Sequence, residues 1–430
     1  MGRVGLVTAA CLAHVGHDVV GIDIDADKVE MLRGGRPPFH EPELEPLVAG
    51  GVESGSLRFH TDVRAAACSC EAIFMCVGTP PTPSGAADLT QIEDLAWAVA
   101  EHIDGYRVVV EKSTVPVETG DRILRTLNRL DVRDVDVVSN PEFLREGTAV
   151  ADTLEPDRIV IGSSSRRATE LLLEIYEPIM ADSGCQVLVT DVGTAELIKH
   201  ASNAFLATKI SFINAVAEIC EATNTDVRTV ARGMGTDHRI GPAFLDAGAG
   251  YGGSCFPKDV AAFADLAERL GCDFGLLDQV QEINLRGVLR LLDKVREQLW
   301  HLKDKKVAVL GLSFKPGTDD LRESPAMKMV GLLVDEGAEV AAYDPVAMTA
   351  PKEELPSEVR LAASATDALV DAHAAVFMTG WFEFRDLSLA EMKATMAFPI
   401  VVDGRNLFEV EDMRAAGFTH LSVGRPSVLR

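Results

Sequence analysis

The sequence predicts an α/β protein: two doubly wound, parallel-sheet domains joined by a central long-helix domain, with the first strand of the N-terminal domain missing. Three observations predict it. Apolar runs of strand length alternate with helical patterns up to residue 161 and again after residue 305. Between them, Thr194 to Ala222 keeps helical periodicity without Pro or Gly. The two alternating stretches also share one internal pattern.

The chain opens MGRVGLVTAACLAHVGHDVVGIDID. Gly2 and Gly5 have the spacing of the last two glycines of G-x-G-x-x-G. An apolar helical pattern follows, then the strand-like Asp18–Ile22, then Asp23. Arg3 followed by VGLVTAACLA also resembles a short secretory leader. It runs straight into VVGIDID, so residues 1–25 are read as part of the fold. Strand-like runs recur at 72–77, 107–111, 135–138 and 158–161, with a helical pattern over 88–102. The long helix comes next, as a spine between domains or across a dimer. A glycine-rich loop over 233–253 and further helices to about Leu302 follow it.

At Lys305 the alternation restarts. KKVAVLGLSF reads as a buried strand entering a turn. SPAMKMVGLLVDEGAEVAAYDP reads as helix, glycine stop and a strand ending at Asp344. The opening residues repeat that order without the leading strand. A complete unit would need about 8–10 residues ahead of Met1, so a start upstream is expected, with loss of cofactor binding as the alternative. The expected domains are 1–190, Rossmann-like and NAD-binding; 191–302, helical, with a reactive cysteine; and 303–430, Rossmann-like.

The 430 residues carry a formal charge of −25, with 47% hydrophobic and 25% charged residues. Such a balance supports large cores and argues against nucleic acid or an anionic membrane as partner, because polyanions are repelled. No apolar run approaches the roughly 18 residues that span a bilayer. Eight cysteines lie scattered without disulfide or zinc spacing, as in a reduced, cytoplasmic protein without a metal site.

Five motifs carry chemistry. Asp23 ends a strand 18 residues after Gly5, where an acid takes ribose hydroxyls and disfavours a 2′-phosphate, although such an acid also simply caps turns. YGGSCFPKD (251–259) crowds glycines before Cys255 and sets Lys258 and Asp259 one turn beyond it. A thiol at a helix start beside a lysine is a nucleophile; a lone cysteine is more often a small buried residue. NPEFLREG (140–147) reads as a helix with Asn140 as cap, Pro141 in the first turn, and Glu142 and Glu146 on one face. A solvated acidic face is the plain alternative. Lys199 and Asn203 stand four apart on the long helix, catalytic or merely exposed. FKPGTDDLRESP (314–325) places Lys315 and Arg322 beside a glycine turn as partners for a phosphate, and Arg239 and Arg405 add cations to loops, which stand out in an acidic chain.

With CVGTP (76–80), KSTVP (112–116), NPEFLREG, LIKHASNAFLATKISFIN, DHRIGPAFLDAGAGYGGSCFPKD and GLSFKPGTDDLRESP in order, the chain resembles the UDP-glucose/GDP-mannose dehydrogenase family from end to end. DxRIGP with AGxGYGGSCFPKD resembles its UDP-glucose branch. The resemblance implies two successive NAD-dependent oxidations of one primary alcohol, through a thiohemiacetal and a thioester on Cys255. It implies that Lys199 and Asn203 polarise the alkoxide, that Asp259 positions or deprotonates water with Lys199, and that Glu142 acts as acid/base. For NAD it implies Gly2, Gly5, Asp23, Lys28, Thr79, Thr114, Glu146, Lys258 and Arg322. For UDP-glucose it implies Glu142, Phe143, Leu144, Lys199, Asn203, Phe244, Leu245, Asp246, Ala247, Gly248, Gly252, Lys315 and Arg405, with Arg239 reaching a neighbouring subunit of a homodimer. The rival readings are the same chemistry on GDP-mannose or a UDP-N-acetylhexosamine, a cofactor-incompetent UDP-sugar-binding remnant, and a two-electron hydroxyacid dehydrogenase that leaves Cys255 idle.

Overall fold

The computed structural model describes residues 1–349 and 355–429. Its contacts form two compact units: Met1–Ser202 with Ala261–Gly271, and Asn203–Val260 with Cys272–Arg430. Each is built around parallel strands.

The second unit shows how the sequence writes its sheet. The strands are β8 (Lys306–Leu310), β9 (Glu339–Tyr343), β10 (Arg360–Leu361), β11 (Ala374–Phe377), β12 (Ile400–Asp403) and β13 (Thr419–Ser422). They lie in the order β10-β9-β8-β11-β12-β13, all parallel. This is the doubly wound arrangement, with the first strand in the middle. Successive side chains point to opposite faces. Val307 and Val309 of β8 therefore join one buried cluster with Val376 and Val402, while Ala308 and Leu310 join the other with Phe377 and Val401. Burial on both faces explains why these strands read as unbroken apolar runs.

In the first unit, β1 (Val19–Ile22) pairs only with β2 (Leu57–His60), in parallel. A separate sheet runs β3 (Ala72–Met75), β4 (Arg107–Glu111), β5 (Val135–Ser139), β6 (Arg158–Gly162) and β7 (Gln186–Thr190). In the second unit the leading strand β8 sits between β9 and β11; in the first, β1 and β3 do not pair with each other. The expectation of a wholly parallel sheet needs one correction. β5 and β6 pair antiparallel, through Ser139 and Gly162 where the two strands end, and the link between them holds the short helix Ala149–Leu154. The opening apolar stretch forms the helix Arg3–His14, with Leu6, Val7, Ala10 and Cys11 fully buried against Val29, Leu32, Leu44 and Phe59.

Two helices matter most for the site. The long helix Val192–Thr223 spans 32 residues, as its pattern predicts. The helix Phe256–Arg269 starts directly after Cys255.

Candidate active site

In the first unit several of the residues expected at the dinucleotide gather around the start of the helix Arg3–His14. Gly2 occupies its N-cap position and makes no side-chain cap bond, an arrangement in which first-turn N–H groups favour an anion. A Cβ on Gly5 would meet that of Cys76 at 3.0 Å; glycine lets the helix approach the CVGTP loop. Asp23 follows β1. Its carboxylate accepts from Lys28 Nζ at 2.9 Å, the Asp25 N–H at 3.0 Å and the Met1 ammonium at 2.6 Å. Burial alone would raise its pKa, but these donors prevail and bring it down to about 2, leaving an anion at neutral pH. The Arg3 guanidinium lies 3.6 Å from Glu146 and brings the 140–147 segment to the same helix start. The Thr79 hydroxyl donates to the Thr114 carbonyl at 2.9 Å, tying the CVGTP and KSTVP loops together. An acid beyond the strand and an uncapped helix start fit the ribose and pyrophosphate of NAD.

The second βαβ unit has taken another course. Asp344 stands where Asp23 does, but one of its oxygens accepts from the N–H groups of Leu312 and Ser313, the Ser313 hydroxyl and the Trp381 indole, at 2.8–3.0 Å. The other accepts from Val346 and Ala347. The turn after β8 donates to the protein's own aspartate.

NPEFLREG is not helical. Residues 140–148 are irregular, and the helix begins at Ala149. Asn140 does not cap: its side chain accepts from Lys112 and the Tyr176 hydroxyl and donates to the Val160 carbonyl. Glu142 accepts the N–H of Leu144 at 2.7 Å, which closes a local turn. Glu142 and Glu146 therefore share no helix face. Instead, Glu142 receives the Lys199 ammonium at 2.9 Å, with both side chains under 10% exposed. The ring of Phe143 lies 5.3 Å from the same nitrogen. Leu144 packs against the core cluster of the opening helix.

In the second unit, the Cys255 carbonyl accepts the Asp259 N–H at 2.8 Å, one turn into the helix. Asp259 is fully buried and takes two donors: the Asn203 carboxamide at 2.6 Å and the Lys258 ammonium at 2.6 Å. The Ser254 hydroxyl lies 3.6 Å from the thiol sulfur. The glycines before it are required by shape. A Cβ on Gly252 would meet the Glu323 carbonyl oxygen at 2.4 Å, and Gly253 has φ +81 with the Phe314 ring at 2.7 Å from the Cβ position.

The cations named from sequence differ in setting. Arg405 is half-buried and donates to the carbonyls of Met378, Gly250 and Phe314. Burial lowers its pKa to about 10, against the pull of Asp403, so it remains a cation held by backbone oxygens. Lys315 lies 5.6 Å from the Phe314 ring. The Arg322 guanidinium donates to both carboxylate oxygens of Asp320. Arg239 is exposed beside Asp237. In the 244–248 segment Leu245, Ala247 and Gly248 are buried, Asp246 is exposed, and Phe244 has φ +64 with its ring 6.1 Å from Phe256.

Sequence reasoning missed the residues that hold these loops. Glu41 accepts the N–H groups of Gly147 and Ala149, both at 2.8 Å, and so caps the helix after NPEFLREG. Asn214 accepts the Gly248 N–H at 2.9 Å. Asn284 accepts from and donates to the Tyr251 backbone, at 2.8 and 3.0 Å. Asn284 also fills the space a Cβ on Gly250 would need. For Asn214 and Asn284 the one available signal was an amide amid helical sequence, which is weak.

Comparison with known proteins covers nearly the whole chain. Residues 1–180 match the NAD binding domain of the UDP-glucose/GDP-mannose dehydrogenase family, 193–286 its central domain, and 308–410 its UDP binding domain. The UDP-glucose 6-dehydrogenase of Rhizobium meliloti is 44% identical, with 99% of this chain and 98% of the relative covered. The UDP-glucose 6-dehydrogenase TuaD of Bacillus subtilis is 42% identical, with 99% and 92% covered. A UDP-glucose dehydrogenase structure from Pyrobaculum islandicum superposes with a TM-score of 0.92 at 38% identity, covering 99% of this chain and 96% of that one.

Proposed function

As a member of the UDP-glucose/GDP-mannose dehydrogenase family, the chain is, we infer, a UDP-glucose 6-dehydrogenase, oxidising UDP-glucose to UDP-glucuronate with NAD. The observation that carries the covalent route is Cys255 at its helix start, one turn before an aspartate held between an amide and a lysine. Chemistry that stopped at the aldehyde would leave that thiol idle.

NAD would supply the hydride acceptor for both oxidations. Gly2, Gly5, Asp23, Lys28, Thr79, Thr114, Glu146, Lys258 and Arg322 are the residues we assign to it. Lys199 and Asn203 donate to the C6 oxygen as it gains alkoxide character. The Cys255 thiolate adds to the aldehyde carbon and forms a thiohemiacetal, which keeps the aldehyde from escaping. Oxidation of that adduct leaves a thioester. Water adds to the thioester carbonyl, the C–S bond breaks, and sulfur departs as the thiolate. Asp259 orients that water, and Glu142 relays its proton. Glu142, Phe143, Leu144, the 244–248 segment, Gly252, Lys315 and Arg405 take the nucleotide sugar, with the cations meeting the diphosphate.

We further propose three domains, 1–190, 191–302 and 303–430, and a homodimer in the cytoplasm. Phe205, Phe212 and Ile219 recur every seven residues along the long helix and are 65%, 52% and 63% exposed. That apolar stripe suits a second copy, with Arg239 reaching the partner's site. Among the described residues, no helix is long and apolar enough to cross a membrane.

The test is stoichiometric. The protein is incubated with limiting UDP-glucose and excess NAD, and NADH is counted per sugar consumed. Two per sugar, with UDP-glucuronate as product, is expected. One per sugar would refute the four-electron route. Faster turnover of GDP-mannose or a UDP-N-acetylhexosamine would move the substrate assignment.

A further inference from the structure

Resting on the assignment of Thr114 to the cofactor, we propose that Glu196 is a positioning residue for NAD: from the long helix it holds the loop that carries Thr114. The loop, residues 113–120, leads from the end of β4 into the helix Thr119–Arg129. That helix has no cap of its own: Glu118 sits at its N-cap with φ +79 and makes no side-chain cap bond. The cap comes from 76 residues away. One oxygen of Glu196 accepts the Gly120 N–H and the other the Glu118 N–H, both at 2.8 Å. A carboxylate on the N–H groups of a helix start stabilises it through both hydrogen bonding and the helix dipole.

A second grip comes from the next turn of the same helix. His200 Nε2 lies 2.8 Å from the Val115 carbonyl oxygen, one residue from Thr114. Glu196 and His200 are four apart and therefore share a helix face. They are 2% and 1% exposed. Lys199 lies between them in sequence and reaches Glu142. Three residues of one helical turn thus hold the Thr114 loop at two points and the Glu142 loop at a third. A close fit seals the arrangement, since a Cβ on Gly120 would meet Val192 Cγ1 at 2.5 Å. The Glu196 carboxyl is raised by burial to about 7 against the pull of the Gly120 and Glu118 N–H groups.

The test uses the full chain with Glu196→Ala and Glu196→Gln. The dissociation constants of NAD and of UDP are measured by calorimetry on the same preparations, with KM for each substrate and kcat. A positioning role predicts NAD binding at least five-fold weaker in Glu196→Ala and UDP binding within two-fold of the parent. Glu196→Gln, which keeps one acceptor oxygen, should fall between. Equal losses for NAD and UDP would mark a purely structural role and overturn the proposal, as would NAD binding within two-fold of the parent in both variants. If Glu196→Ala does not fold, Glu196→Gln decides by the same NAD-against-UDP split. A parent that binds NAD yet forms no NADH from UDP-glucose would refute the substrate reading and leave this result standing.

Discussion

Removing one member of the Lys199–Glu142 pair should damage the first unit far more than removing both. The two side chains are 4% and 7% exposed, and their charged atoms are 2.9 Å apart. Glu142→Leu takes its carboxylate partner from a buried ammonium. Breaking such a pair costs about 3–5 kcal/mol, whereas replacing both members by apolar residues of similar size is close to neutral. The Phe143 ring, 5.3 Å from the ammonium, offsets a little of the single-mutant loss. For a unit of this size, roughly 2–4 °C of melting temperature accompanies each kcal/mol. The melting transition of the first unit should then fall by about 6–20 °C in Glu142→Leu and in Lys199→Leu. The double variant should recover most of that loss, with a coupling energy of about 2 kcal/mol or more. The assay is a double-mutant cycle by calorimetry and circular dichroism. Singles that melt with the parent, or losses that simply add in the double, would refute the account of a desolvated pair.

Other expected outcomes follow from single contacts. Gly252→Ala would put a Cβ 2.4 Å from the Glu323 carbonyl oxygen, so the backbone around it must shift; a loss of about 1–3 kcal/mol and a change in the alkylation rate of Cys255 are expected, and parent-like values of both would contradict the packing. Asp23 should repel the 2′-phosphate, giving a preference for NAD over NADP of roughly 100-fold, about 3 kcal/mol; Asp23→Ala should weaken NAD and narrow the gap in paired KM measurements, and equal use of both cofactors by the parent would sink the assignment. Glu196 is raised from 4.5 to about 7 by burial, against the Gly120 and Glu118 N–H groups and with Asp121 adding to the rise. The folded form therefore holds a proton that the unfolded chain releases. Its contribution is full below about pH 4.5 and is lost as pH climbs to about 7, on the order of 3 kcal/mol. Melting temperatures of the parent minus those of Glu196→Gln should fall across that window, and a flat difference would contradict it.

Much of the fold was legible where its strands are buried on both faces, as β4, β8 and β11 are, whereas the exposed β7 gave no such run. Runs such as KVAVL and RVVVE leave no other reading, and the long helix announced itself by its length without Pro or Gly. The site was legible where chemistry sits in contiguous motifs, as with Cys255, Lys258 and Asp259. It was illegible where a side chain answers to a distant partner. Asn140 looked like a cap, but Lys112 and Tyr176 claim it, and the true cap of the following helix is Glu41, 108 residues before Ala149. Glu196, Asn214 and Asn284 are ordinary helix residues by pattern. Their roles follow from which loops pack against them, and the period of a sequence carries no information on that.

Cys255→Ser tests the central claim most directly. Steady-state NADH production from UDP-glucose is measured beside UDP-glucose binding by calorimetry on the same sample. The account predicts a fall in turnover of several orders of magnitude with binding intact, because a serine ester forms and hydrolyses too slowly to replace the thioester. Turnover near that of the parent, with binding unchanged, would contradict the covalent mechanism.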